Sequence, residues 1–253
     1  MSNDRVKEYW EYEACGTHSY ITKTLKPLSA EWFREVVDYR KKVEPFIDSA
    51  ARFIEMKGQD VLEIGVGAGV DHVEIAKNAG NTYGVDLTEM AISVTKAHLE
   101  CNGLESQLEV ADAEKLPFKS SSFDQVWSWG VIHHSDRTEK VVDEIYRVLK
   151  PGGTFKGMIY NRQSLAVYYN WLVQLIRHGK IYTDLDQLIA REIESSGTTA
   201  YTLSTAHQLF SKFVVTGITN EVTVSDHQFP LSKILTNLVP NLGWYWVFEC
   251  RKE

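Results

Sequence analysis

The sequence predicts an α/β fold, in which a doubly wound, mostly parallel sheet carries helices on both faces. Two observations lead to this prediction. Short apolar runs alternate with amphipathic stretches from residue 60 to residue 160, and the connections between them are short. A glycine cluster follows the first run directly, as expected at a strand-to-helix turn. With 253 residues, of which 43% are hydrophobic and 24% charged, the chain has the composition of one globular domain.

The predicted strands of the first half end where turn or helix signals begin. Asp86 closes the second strand, and Thr88 is placed to cap the helix that follows it. Asn102 and Gly103 end that helix before the third strand. The predicted elements are strands at 61–64, 81–85 and 108–111, with helices over 70–78 and from 88 to about 100.

The second half continues this alternation as far as Tyr160 and then departs from it. Asp136 and Glu139 have capping-box spacing and predict the start of a helix, which ends at Lys150–Gly153. An apolar and aromatic helical stretch then follows Tyr160. The predicted elements are strands at 123–127, 154–159, 213–224 and 244–250, helices over 161–196 and 204–212, and a loop around 195–199.

We expect a single domain, 1–253, made of four segments. Residues 1–59 form an N-terminal aromatic and helical cap, in which Pro45 marks a boundary or a kink. Residues 161–212 form a helical lid inserted after the fifth strand, although ordinary packing of helices against the sheet would give the same pattern. The other two segments are the core, 60–160, and the C-terminal strands, 213–253.

Charge and cysteine content argue against several classes of function. The net charge is −7 and the one basic cluster, Arg40–Lys42, lies between acidic residues, so no nucleic-acid partner is expected. No apolar run reaches about 18 residues and the N-terminus is polar, so neither a membrane span nor a secretory signal is predicted. Cys15, Cys101 and Cys250 are too far apart for a metal knuckle, and we expect free thiols in a reducing cytoplasm.

The glycine cluster at Gly65, Gly67 and Gly69 predicts a ligand site, because glycines allow a ligand to approach the backbone closely. Asp86 follows the first glycine by 21 residues, where a carboxylate accepts from ribose hydroxyls. Val70 stands where a dinucleotide fingerprint needs a small residue, and Glu63 would repel a pyrophosphate but attract a cation.

A second acid, Asp112, follows the third strand and is placed to accept from an adenine amino group. An adenosine ligand that carries a positive charge is S-adenosylmethionine. The sequence resembles the class I S-adenosylmethionine-dependent methyltransferases, in the type-11 small-molecule group. The motifs that carry the resemblance are 61–69, 83–87, 111–118, 123–134 and 148–153.

The resemblance implies a Rossmann-like sheet of seven strands whose final hairpin is reversed. It also implies that S-adenosylmethionine binds and leaves as S-adenosylhomocysteine, with no metal. The implied contacts are Glu63, Gly65, Gly67 and Trp129 near the methionine part, Asp86 and Leu87 at the ribose, and Asp112 and Ala113 at the adenine. Tyr20, or His18, is expected to touch the cofactor when the N-terminal segment folds over it.

The acceptor side is less strongly marked. His133 and His134 follow the fourth strand, where a parallel sheet presents its ligand crevice, so one of them is a candidate general base. Both could instead be structural residues at the start of a helix. Tyr160 and Arg162 end the fifth strand on the same edge; Arg162 would hold an acceptor carboxylate or pair with a surface acid.

The predicted function is transfer of a methyl group to an oxygen, nitrogen or carbon nucleophile of a small, partly hydrophobic acceptor in the cytoplasm. Two alternatives stay open at this point. The acceptor would be a protein or a carrier-bound group, or the chain would bind S-adenosylmethionine without catalysis.

Overall fold

The computed structural model describes residues 3–11, 17, 19–22, 24–193, 195 and 197–253, without the side chains of residues 19 and 20. The strands are β1 (Asp60–Ile64), β2 (Asn81–Asp86), β3 (Gln107–Val110), β4 (Phe123–Ser128), β5 (Leu149–Tyr160), β6 (Val214–Glu221) and β7 (Tyr245–Arg251). Within the described residues they form one seven-stranded sheet in the order β3-β2-β1-β4-β5-β7-β6. The first five strands are parallel and β7 is antiparallel to both its neighbours, which confirms the predicted sheet and its reversed hairpin.

Local capping signals start and stop the helices largely as predicted. Thr88 Oγ1 accepts from the Ala91 backbone N–H at 3.2 Å and caps the helix after β2. Pro45 lies between two helices and is therefore a boundary. The helices are α1 (Asp4–Glu11), α2 (Ser19–Thr22), α3 (Ala30–Val43), α4 (Ile47–Ala51), α5 (Val70–Asn78), α6 (Glu89–Cys101), α7 (Thr138–Val148), α8 (Leu165–His178), α9 (Leu185–Glu192), α10 (Leu203–Leu209) and α11 (Ser232–Leu238).

The sheet is covered on both faces, because successive side chains of a strand point to opposite sides. In β1, Leu62 and Ile64 pack into one hydrophobic cluster, together with α7 and α10. Val61 packs into a second cluster, which includes Trp127 of β4 and residues of α8 and α9. This double cover explains why the strands read as nearly continuous apolar runs. No helix in the described part of the chain is both long enough and apolar enough to cross a membrane.

Three sequence predictions about local structure are wrong. Asp136 does not cap α7, because the N-cap position is Arg137. The Arg137 backbone N–H donates to the Glu114 carboxylate at 3.1 Å. β5 begins at Leu149, so Lys150–Gly153 belongs to this strand, which was predicted to begin only at residue 154. Finally, α11 lies between the last two strands, where no helix was predicted.

The helical segment after β5 leaves and rejoins the sheet at one place. Asn161 forms a parallel bridge with Tyr201, and the Tyr201 N–H donates to the Tyr160 carbonyl at 2.8 Å. The buried Asp226 carboxylate accepts from the backbone N–H of Ala166 at 3.1 Å and of Trp244 at 2.9 Å. These bonds fix the start of α8 against β7.

Candidate active site

A cavity opens at the carboxyl ends of β1, β2 and β4, beside the point where the strand order reverses between β1 and β4. It encloses about 830 Å³ of empty space, including its open mouth. The lining residues are Asn3, Val6, Trp10, Ile64, Gly65, Gly67, Val85, Asp86, Leu87, Thr88, Ala91, Ala111, Asp112, Ala113, Trp129, Gly130, Val131, His134 and Ser135.

The glycine turn after β1 forms the floor of this cavity. Gly65 has a φ of +82°, and a Cβ added to it would lie 2.1 Å from Val131 Cγ2. Gly67 also has a positive φ, +50°. Both the backbone conformation and the close approach of Val131 therefore require glycine at position 65.

Asp86 is oriented by bonds to its own loop and to the glycine turn. Its Oδ2 accepts from the Gly67 N–H at 3.2 Å. Its Oδ1 accepts from the N–H and the hydroxyl of Thr88, at 3.0 and 2.9 Å. Burial raises the pKa of the Asp86 carboxyl, although these hydrogen bonds act in the opposite direction. The carboxylate is thus fixed at the cavity wall with free lone pairs for hydroxyl donors.

Asp112 faces the same cavity but already has a partner from the N-terminus. Asn3 Nδ2 donates to both Asp112 oxygens, at 3.0 and 3.1 Å, and to Glu114 Oε1 at 3.2 Å. The side-chain amide oxygen of Asn3, Oδ1, accepts from the Asp136 N–H at 3.0 Å. An amide N–H₂ group therefore occupies the position where an adenine amine was predicted to bind.

Glu63 is paired with His72 behind the cavity wall. Its Oε2 lies 2.8 Å from His72 Nδ1, and His72 Nε2 lies 2.8 Å from Ser106 Oγ. The Ser106 hydroxyl donates to the Thr82 carbonyl at 2.9 Å, so His72 Nε2 must donate to Ser106. Burial raises the pKa of Glu63 well above its usual range and lowers that of His72 to about 4. Both directions favour a neutral pair, which brings no net charge to the site.

Trp129 connects the cavity to a buried polar network. Its ring stacks on Trp127 with centroids 5.1 Å apart, and its Nε1 donates to Glu44 Oε2 at 2.8 Å. Glu44 also accepts from Tyr245 at 2.9 Å and pairs with Arg40. Burial raises the pKa of the Glu44 carboxyl, against the effect of Arg40. The indole is thus held at the cavity wall by a stacked ring and by a hydrogen bond to a buried carboxyl group.

The two adjacent histidines face different surroundings. His134 lines the cavity, and its ring lies 5.8 Å from that of Trp10. His133 is fully buried outside the cavity lining, with its ring 3.8 Å from that of Tyr160. Burial and the neighbouring His134 lower the pKa of His133 well below its usual range. Of the pair, His134 is therefore the residue that can meet a ligand.

Comparisons with known proteins agree with this geometry. Residues 62–156 match the family model described as a methyltransferase domain. Residues 62–156 are a methyltransferase domain of the class I, S-adenosylmethionine-dependent type. The chain is 37% identical over 121 residues to phosphoethanolamine N-methyltransferase 2 of Caenorhabditis elegans, covering 45% of this chain. The chain spans only 28% of the length of that relative.

Two solved structures share the fold of this methyltransferase domain over nearly the whole chain. One is geranyl diphosphate C-methyltransferase from Streptomyces coelicolor A3(2) in complex with Mg²⁺, geranyl diphosphate and S-adenosyl-L-homocysteine, with TM-score 0.64 and 14% identity, covering 99% of this chain and 98% of that one. The other is the [4+2]-cyclase SpnF, with TM-score 0.64 and 14% identity, covering 100% and 97%. At such identities the likeness concerns the fold alone.

Several predicted site residues of the methyltransferase domain lie away from the cavity. Arg162 pairs with Asp186 at 2.5 Å and with Asp184 at 3.6 Å, which is the surface ion pair weighed as its alternative. Tyr160 is buried and stacks on Trp244, with centroids 4.1 Å apart. Neither is among the residues that line the cavity, and their role in acceptor binding stays a prediction. The side chains of Tyr20 and His18 lie outside the described residues.

The structure also adds lining residues that the sequence did not reveal. Asn3, Val6 and Trp10 reach the cavity from α1 and the residue before it. The aromatic content of the N-terminal segment had suggested a cover over the cofactor, but no pattern marks Asn3 as a partner of Asp112. Among the described residues, no group of three or more His, Cys, Asp and Glu side chains is placed to hold a metal ion.

Proposed function

We propose that this chain transfers the methyl group of S-adenosylmethionine to an oxygen, nitrogen or carbon nucleophile of a small organic acceptor with an apolar part. The observation that carries the proposal is the continuity of the cavity. Asp86 and Asp112 lie on its walls, and Trp10, Trp129 and His134 line the same space. One cavity therefore offers oxygen acceptors for an adenosine and an aromatic wall beside a candidate base.

The residues present fit this cofactor. Asp86 offers carboxylate oxygens to the ribose hydroxyls beside Leu87, and Asp112 and the Ala113 backbone would take the adenine. Gly65 and Gly67 line the part of the cavity where the methionine part would lie. Gly130 supports this fit, because a Cβ there would meet no heavy atom within 4 Å.

The bound cofactor would supply an electrophilic methyl group on a sulfonium. The protein's task is then to align the nucleophile with that group and exclude water. Trp10 and Trp129 present apolar surface that would hold an acceptor body, and the wall of Trp129 also favours a nearby cation. For a hydroxyl acceptor, His134 would remove the proton as the bond to carbon forms. An ammonium acceptor would have to give up its proton to His134 first, because only the neutral amine has the lone pair that attacks the methyl group. The methyl group is gained by the acceptor, and S-adenosylhomocysteine and one proton are released.

The test is transfer of labelled methyl from S-adenosylmethionine to the small-molecule fraction of a cell extract. We expect a labelled low-molecular-weight product with the wild-type protein and much less with Asp86→Ala. Label in the protein fraction would indicate a protein or carrier-bound acceptor instead.

A second candidate function uses the same cavity without methyl transfer, because a [4+2]-cyclase shares the fold. Binding of S-adenosylhomocysteine in calorimetry, with no label transferred to any fraction, would support that alternative. On the sequence grounds given above, we place the reaction in the cytoplasm, with a small molecule rather than a nucleic acid as partner.

A further inference from the structure

Two hydroxyl side chains from the loop after α9 hold the imidazole of His134. Its Nδ1 lies 2.9 Å from Thr198 Oγ1 and 3.0 Å from Ser195 Oγ. All three residues are buried, with exposed fractions of 3%, 1% and 0% for His134, Thr198 and Ser195. The loop and the histidine are more than sixty residues apart in the sequence, so this contact is made by the fold.

The hydrogen-bond network determines which ring nitrogen carries the proton. Thr198 has one hydroxyl proton, and it is donated to the Ser195 carbonyl at 2.7 Å. Towards His134 Nδ1, Thr198 Oγ1 therefore presents only lone pairs, so the hydrogen between these atoms must belong to Nδ1. Ser195 Oγ is 3.3 Å from Thr198 Oγ1 and can donate to it while accepting from Nδ1. The neutral ring is then the Nδ1–H tautomer.

The neighbouring residue Thr199 shows that docking of the loop does not depend on these two hydroxyls. Both the N–H and the hydroxyl of Thr199 donate to the His133 carbonyl, at 2.9 and 3.0 Å. Thr199 thus attaches the loop to the backbone beside β4. The hydroxyl oxygen of Thr198, one residue earlier, lies instead within hydrogen-bond distance of the His134 ring.

We propose that Thr198 and Ser195 are positioning residues that hold His134 in the Nδ1–H tautomer, which leaves the lone pair on Nε2 for the acceptor's proton. The proposal rests on the proposed function, because His134 lines the cavity where the acceptor would react. A histidine with its proton on Nε2 would present a donor to the nucleophile and could not take a proton from it. The two hydroxyls therefore decide whether the ring acts as a base.

The direct test is the tautomer of His134 in the wild-type protein. The chain has eight histidines, and with ¹⁵N-labelled histidine the His134 signals are assigned by their loss in His134→Asn. Two-bond ¹H–¹⁵N correlation spectra at alkaline pH then distinguish the two nitrogens. We expect His134 to be predominantly the Nδ1–H form. A predominantly Nε2–H ring in the wild-type protein would overturn the proposal without any variant.

Variants test the two hydroxyls. Thr198→Val together with Ser195→Ala should shift His134 towards the Nε2–H form, whereas Thr198→Ser should keep the wild-type tautomer. Thr199→Val is the matched control, because its backbone N–H still bonds the His133 carbonyl. In the extract assay we expect the double variant to transfer methyl at least about tenfold more slowly than Thr199→Val. Affinity for S-adenosylhomocysteine, measured by calorimetry, should be equal in both.

The outcomes separate this proposal from the proposed function. Methyl transfer by a wild-type protein whose His134 is the Nε2–H tautomer would reject the positioning role and leave the function standing. An Nδ1–H ring in a protein that transfers no methyl would reject the function and leave the hydrogen-bond assignment standing. If the double variant does not fold by circular dichroism, the comparison of Thr198→Ser with the wild-type protein decides: a changed tautomer in a folded Thr198→Ser contradicts the proposal.

Discussion

The two ends of the cavity are built in different ways. The end where we propose that the adenosine binds is formed by the loops that follow β1, β2 and β3, and Asp86 there is held by Thr88 and Gly67, 2 and 19 residues away. From far along the chain, Asn3 also reaches this end, at Asp112. The acceptor end is assembled from distant segments. There Trp129 is held by Glu44, 85 residues away, and His134 by Thr198, 64 residues away.

We infer from this difference that cofactor binding depends mainly on the loops of the sheet, whereas turnover depends mainly on the segments packed around it. Substitutions at the adenosine end should act on cofactor binding and on the stability of the sheet. At the acceptor end, substitutions of the residues that hold His134 should act on turnover and leave cofactor affinity unchanged. The following predictions test this division, beginning with the largest expected effect.

Gly65→Ala should be the most damaging change at the adenosine end. Its Cβ would lie 2.1 Å from Val131 Cγ2, and the φ of +82° disfavours any side chain. We expect a loss of about 3 kcal/mol in the free energy of unfolding, from strain and overpacking together. Gly103→Ala is the control: its φ is +65° but nothing lies within 4 Å of the new Cβ, so the loss should be about 1 kcal/mol. Equal losses in denaturant titrations would contradict the close packing at Gly65.

Asp86→Ala should weaken binding of S-adenosylhomocysteine by about 1.5–3 kcal/mol, because charge-assisted bonds to the ribose hydroxyls are lost. Titration calorimetry measures the change. Asp60→Ala is a suitable control, since Asp60 lies at the opposite end of β1 and pairs with Lys150. Wild-type affinity in Asp86→Ala would remove Asp86 from the cofactor site.

The proton shared by Glu63 and His72 predicts that the free energy of unfolding becomes pH-dependent when Glu63 is replaced. In the folded protein the pair holds one proton, on Glu63, because the pKa of this carboxyl is raised. In the unfolded chain, between about pH 4.5 and 6.5, the two side chains also hold one proton, but it is on His72. The pair therefore adds no pH dependence to stability in this window. In the folded Glu63→Gln protein this proton is absent, because the glutamine side chain cannot carry it and the pKa of His72 is only about 4. In the unfolded chain the pKa of His72 returns to about 6.5.

The unfolded Glu63→Gln chain takes up a proton on His72 as the pH falls below about 6.5, so acid destabilises this variant. We expect it to lose about 2 kcal/mol more than the wild-type protein between pH 7 and pH 5. Denaturant titrations at the two pH values measure the difference. Parallel losses in both proteins would show that the pair does not share a proton.

Asn3→Ala should have the smallest effect, a change of about 1 kcal/mol in the free energy of binding of S-adenosylhomocysteine. The Asn3 amide donates to both oxygens of Asp112, so an adenine amine must displace it. Removing the amide should therefore tighten binding of S-adenosylhomocysteine in calorimetry. Weaker binding would mean that Asn3 contacts the ligand instead of competing with it.

Much of the sheet was predictable because its signals are local. A run of four to six apolar residues, a glycine turn and the Thr88 cap each lie within one short stretch, and all are found as predicted. The cap of α7 was not predictable in this way, since its acceptor comes from Glu114, 23 residues earlier in the chain. The short helix α11 was missed because it has seven residues and leaves Ile234 and Leu238 exposed, so it lacks a buried apolar stripe.

The same rule applies to the site. Gly65, Gly67, Asp86, Leu87, Asp112, Ala113, Trp129 and His134 were named from the sequence and line the cavity. Asn3, Trp10 and Thr198 became visible only in three dimensions, because their partners lie far along the chain. Arg162 was a reasonable candidate by position, but Asp184 and Asp186, the two acids at the start of α9 that pair with it, carry no sequence signal linking them to β5.

The bridge between Asn161 and Tyr201 has a consequence for how such enzymes diversify. The chain leaves β5 at Asn161 and returns beside it at Tyr201. The residues between these two, about forty, therefore form a cassette whose two ends are fixed next to each other. Replacing or resizing a cassette of this kind leaves the register of the strands unchanged, and the cost of closing a longer loop grows only slowly with its length. The cassette also carries Thr198. If His134 acts on an acceptor as proposed, exchange of this segment between homologues would change both the surroundings of the acceptor and the protonation of the histidine. The residues after β1 and β2 that we propose bind the cofactor would stay the same.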